Sequence, residues 1–94
     1  MAETVDDLTV RYEENGEIKV QETAKEVLTK GTWATIMFRY RELDAEGNYG
    51  PEKVTIRRYQ KRGGVYRMQS KFNISGEKQA RQVAEVLTGW YPSD

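Results

Sequence analysis

Three stretches of this sequence repeat one combination of side chains: Trp33, Met37, Arg39 and Arg41, then Arg57, Tyr59 and Lys61, then Arg67, Gln69 and Lys71. Six of these ten are Arg or Lys and two are aromatic. Cations on adjacent segments neutralise successive phosphates, and flat rings accept unstacked bases. Stacking requires splayed bases, so the chemistry fits single-stranded DNA or RNA better than a duplex, whose readers usually insert a helix into the major groove. Catalytic chemistry is poorly supplied. The chain has no His and no Cys, which excludes Ser-His-Asp triads, thiolate nucleophiles, disulfides and His- or Cys-based metal sites. Asp6-Asp7 and Glu13-Glu14 are adjacent pairs whose members point apart on a strand, so they make no acid/base dyad. Asp44, Glu46 and Asn48 imitate the start of a calcium loop, but Tyr49 stands at the tight-turn Gly and Thr55 at the bidentate Glu. Gly63-Gly64 follows Lys61-Arg62 without the Lys-Ser/Thr of a phosphate loop. These residues predict neither an enzyme nor a cofactor or metal site.

Charge is distributed unevenly. Pro51 to Gln82 holds nine Lys/Arg against two Asp/Glu, a surplus of seven, whereas Met1 to Gly50 holds six against eleven, a deficit of five. The formal net charge of zero therefore hides a dipole, one side of which attracts polyanions. At 94 residues the chain is one domain with one small core. No apolar run is long enough to span a bilayer and no signal pattern opens the chain, so the expectation is a cytoplasmic protein without membrane partners.

The elements that must hold those side chains follow from periodicity. Residues 1–7 read as a flexible acidic tail and 8–94 as a single sheet-plus-helix domain. Leu8, Val10 and Tyr12 alternate with Thr9 and Arg11, and Asn15-Gly16 suits a type I′ hairpin turn before Ile18 and Val20 resume the alternation. Gln21 to Thr29 fits strand or helix, with strand favoured by the β segment that follows. From Thr32 to Leu43, Ala34, Ile36, Phe38 and Tyr40 share one face, and Trp33, Thr35, Met37, Arg39 and Arg41 the other. After the polar loop 44–51, Lys53 to Lys61 is expected to turn Val54 and Ile56 inward and Thr55, Arg57 and Tyr59 outward. Gly63-Gly64 closes a hairpin. In Val65 to Ile74, Tyr66, Met68, Phe72 and Ile74 are set against Arg67, Gln69, Lys71 and Asn73.

At Ser75, an N-cap type, the period changes to that of a helix with Ala80, Val83, Ala84, Leu87 and Trp90 or Tyr91 in one stripe, stopped by Pro92. The order is β-β-β-β-β-α, an α+β fold: a twisted antiparallel sheet of about five strands with one C-terminal helix packed on one face. The other face would carry the ten side chains named above. The same face also admits a plainer reading as solvated surface, and a second functional reading as a protein-interaction module anchored by Trp33, Met37 and Tyr59. The scarcity of acids on those strands favours binding, because inert faces pair opposite charges across strands. Val86, Leu87, Trp90 and Tyr91 exceed what one thin sheet needs, which points to a homodimer through the helix.

Two segments, "EKVTIRRYQ" and "KFNISGEKQARQVAEVL", give this order of parts a family resemblance. It resembles the single-stranded-DNA-binding domain of transcriptional positive cofactor four and its bacterial and whirly-type relatives, across Lys30 to Trp90. Ile56, Arg57, Arg58 and Tyr59 match that family's Ile-Arg-aromatic strand segment, and Lys71, Ile74 and Ser75 its entry into the helix. Phe72 and Asn73 separate Lys71 from Ile74, Gly76 stands where the family has Leu, and an extra hairpin precedes the motif. The resemblance implies a sheet that grips single strands, DNA before RNA and with little sequence preference, helices that pair into dimers, and a role in transcription or DNA metabolism.

Overall fold

A computed structural model describes residues 3–93 as five antiparallel strands in a curled sheet followed by one C-terminal helix, the expected α+β fold. The strands are β1 (Tyr12–Glu14), β2 (Glu17–Thr29), β3 (Trp33–Glu42), β4 (Lys53–Arg62) and β5 (Val65–Ile74); the helix is α1 (Glu77–Trp90). They pair in chain order, each antiparallel to the next, so β5 is an edge. The two hairpin turns form where glycine chemistry places them. Asn15 and Gly16 have φ of 52° and 83°, and Gly63 and Gly64 have 58° and 80°, the positive angles that a type I′ turn requires. Gln21 to Thr29 belongs to β2, whose two register shifts, at Glu22/Ala24 and Val27/Thr29, interrupt the strand alternation and so left Ala24, Val27 and Leu28 fitting a helical turn as well as a strand.

Residues directly opposite on paired strands share a face. On β3, Ala34, Ile36 and Phe38 are buried and define the inner face. Their partners on β4 are Tyr59, Arg57 and Thr55 respectively. This reverses the expected orientation of β4. Tyr59 is only 5% exposed and belongs to the core, whereas Val54 and Ile56 stand on the outer face opposite Arg39 and Met37. The reversal has a packing reason: the Tyr59 ring is the large apolar body beside Ala34, whose small side chain leaves room for it. Thr55 is fully buried and satisfies its hydroxyl by donating to Asn73 Oδ1 at 2.7 Å.

The inner face is closed by the chain's own N-terminal segment. Leu8 and Val10 are buried against Ala34, Ile36, Phe38 and Tyr59, and Val5 packs beside them. Met1 and Ala2 of the expected tail lie outside the described residues, while Val5–Asp7 form a 3-10 turn. Lys25, on the inner face opposite Phe38, donates from Nζ to the carbonyls of Val5 (2.6 Å), Leu8 (2.7 Å) and Asp6 (3.3 Å). Glu22 accepts from Thr9 Oγ1 at 2.6 Å and from the Val10 N–H at 3.4 Å. Leu8 and Val10 thus do the covering that the sequence assigned to the helix.

The helix α1 leaves β5 through Ser75 and Gly76. The N-cap residue is Gly76, and the Gln79 side chain reaches back to accept from the Ser75 N–H (2.9 Å) and hydroxyl (3.1 Å). Its first turn sits by the outer face, where Glu77 and Ala80 share a hollow with Arg39 and Val54. None of its residues is fully buried.

Candidate nucleic-acid interface

The register divides the ten expected site residues between two faces. Trp33, Met37, Arg39 and Arg41 stay on the outer face, joined there by Arg67, which is opposite Gln60 as Trp33 is. Arg57, Tyr59, Lys61 and Lys71 go to the inner face, since Arg57 is opposite both Ile36 and Lys71. Gln69 sits in a bulge: Arg58 pairs with Ser70 and Tyr59 with Met68, so Gln69 has no direct partner. That extra residue also splits the apolar set of β5. Tyr66 and Met68 fall on the inner face, and Phe72 and Ile74 on the outer.

On the outer face, two of the expected cations already have partners. Arg39 pairs with Glu52 at 3.0 Å and donates to Thr23 Oγ1 at 3.0 Å. Arg41 donates to Gln21 Oε1 at 2.6 Å and lies 5.0 Å from the Tyr49 ring. The opposite end of that face is different. Trp33 is 40% exposed, and the guanidinium of Arg58 lies 4.3 Å from its ring centroid. Trp33, Gln60 and Arg67 form one cross-strand row, and Thr35, Arg58 and Ser70 the next, with no carboxylate in either. Arg58 faces outward because its neighbour Tyr59 faces inward, and the reversed register of β4 hid it from the sequence reading. Only the adjacency of Arg57 and Arg58 signalled it, since one of two consecutive arginines must reach each face.

The β4–β5 hairpin is therefore a cationic ribbon. Beyond Lys53, which pairs with Glu42 at 2.8 Å, its charges are Arg57, Arg58, Lys61, Arg62, Arg67 and Lys71, with no acidic residue between the first and the last of these six. Among the described residues none of the six is in an ion pair. Lys61 lies 5.4 Å from the Tyr66 ring on the inner face. Burial pushes the Tyr59 phenol above its ordinary range, with the nearby Arg57 guanidinium pulling the other way. Tyr59 is thus a core residue and no stacking platform.

Among the described residues no helix is long and apolar enough to cross a membrane. No protein-family model matches this sequence, and no curated protein or solved structure is significantly similar to it.

Proposed function

We propose that this protein binds single-stranded nucleic acid on the outer face of β3, β4 and β5, at the end that carries Trp33. The observation that carries the reading is the exposed Trp33 ring, flanked by Arg58 and in one row with Arg67, on a patch without a carboxylate. An aromatic face beside unpaired guanidinium groups offers stacking to a base and charge to its phosphates. The sequence preference of such a site is weak, because every base has a face to stack.

Fluorescent single-stranded and duplex oligonucleotides titrated at several salt concentrations test this. Trp33→Ala is expected to cost about 1–3 kcal/mol of binding and leave the salt slope unchanged. Arg58→Gln or Arg67→Gln is expected to weaken binding to all sequences and reduce the slope by about 0.7 per lost phosphate contact. Duplex should bind more weakly than single strand. Equal affinity for both forms would overturn the stacking role of Trp33.

A second reading rests on the row Met37–Ile56–Phe72, an apolar line across the same face in which Phe72 is half exposed. It is a protein-contact surface, with Tyr59 no longer among its anchors. Affinity for a protein docked there would change little with salt, whereas nucleic-acid binding falls steeply.

A further inference from the structure

The inner face of the same ribbon holds a second set of cations that the outer-face site does not use. Arg57 and Lys71 are directly opposite one another, and like charges so placed destabilise a strand pair. No carboxylate relieves them: among the described residues neither is in an ion pair, and the inner-face Glu22 is engaged by Thr9 and Val10. Among the described residues the Arg57 Nε is buried with no hydrogen-bond partner, although a buried donor of this kind is ordinarily satisfied. Lys61 stands four residues further along the same strand face, about 13 Å away along β4. Between the two cation positions Tyr59 is paired with the half-exposed Met68.

The topology says how one ligand could reach both faces. The inner face over β2, β3 and Tyr59 of β4 is filled by Leu8 and Val10, so the part left open runs along β5 and the hairpin end of β4, where Lys61, Met68 and Lys71 are exposed. β5 is the edge of the sheet, with no strand beyond it among the described residues. Around that edge the outer cations Arg58 and Arg67 and the inner cations Arg57, Lys61 and Lys71 are separated only by the width of the ribbon.

We infer that Arg57, Lys61 and Lys71 form a second phosphate-binding track, and that a bound single strand passes from the outer face around the β5 edge onto it. This rests on the proposed outer-face site and extends it to a wrapped path. The ligand chemistry is a phosphodiester chain long enough to turn the edge, which makes the inner track dependent on ligand length.

The test compares the wild type, Lys61→Gln/Lys71→Gln and Arg58→Gln/Arg67→Gln with a short and a long single-stranded oligonucleotide. About 4 nucleotides cover one face, and about 12 reach both. The inner-face variant changes two exposed residues and leaves the core intact. It is expected to bind the short ligand as the wild type does and the long one about tenfold more weakly, with the salt slope lowered by about 1.4 for two contacts. The outer-face variant is expected to weaken both. Full retention of long-strand affinity by the inner-face variant would overturn the wrapped path and leave the outer-face site standing. Absence of single-strand binding by the wild type at low salt would overturn both. Inorganic phosphate shifting the Lys61 and Lys71 resonances at the same phosphate concentration as the long strand would also overturn it, by assigning the cluster to a small anion.

Discussion

Tyr59 illustrates how one side chain can change role when its face is known. Buried beside Ala34 and flanked by Arg57, its phenol is held neutral by loss of solvent, and its folded pKa is raised above the ordinary value of about 10. A raised folded pKa contributes stability that is complete below the unfolded pKa and is lost as pH rises through the folded one. Tyr59→Phe is therefore expected to lose less stability than the wild type when denaturation is compared at pH near 9 and near 11. An identical alkaline loss in both proteins would show that Tyr59 is not the responsible group. Tyr59→Ala is a different experiment. It should cost about 3–5 kcal/mol of stability by leaving a cavity, so weakened binding in that variant would say nothing about stacking.

Among the elements, the N-terminal segment and the hairpin after it have the most consequence. The segment is pinned by Lys25 through three carbonyls and by Glu22 through two donors, and it supplies two of the buried apolar residues, Leu8 and Val10. Lys25→Met keeps much of the stem that lies against the segment but removes the donors. It is expected to destabilise by about 1–3 kcal/mol in chemical denaturation, with faster amide exchange at the Leu8–Val10 amides than elsewhere in the sheet. Uniform exchange across the sheet would argue that the segment does not open separately. Gly16→Val tests the adjoining turn, where φ of 83° is unfavourable for a β-branched residue. A loss of about 1 kcal/mol or more is expected, and a neutral result would count against the turn.

For the whole molecule, the exposed apolar stripe towards the end of the helix is the dominant feature. Val86 and Leu87 are each about half exposed and Trp90 is 72% exposed, all on a helix with no buried residue. With Phe72 they leave more apolar surface in water than scattered exposure accounts for. Self-association through this stripe would bury it in a symmetric contact. The expected solution mass by light scattering is twice 10.9 kDa, reduced to the monomer value by Leu87→Glu. A monomeric wild type at high micromolar concentration would remove that expectation. The molecule is thin, 17 Å in its shortest dimension, in keeping with one sheet and a thin cover.

How much of this was legible in the chain depends on whether the signal was local. Asn15-Gly16 and Gly63-Gly64 fixed two turns through backbone sterics, the alternation from Ala34 to Phe38 fixed the inner face of β3, and the change of period after Ser75 located the helix. The charge polarity was likewise a property of sequence alone. Three features needed the tertiary structure: the facing of β4, the bulge at Gln69 and the place of the N-terminal segment. The strand period is two, so a one-residue difference in register exchanges the faces. On β4 both faces carry apolar residues, Val54 and Ile56 on one and Tyr59 on the other, so alternation alone could not choose between them. The choice was made by non-local packing, when Leu8 and Val10 closed over Tyr59 and set Arg58 beside Trp33.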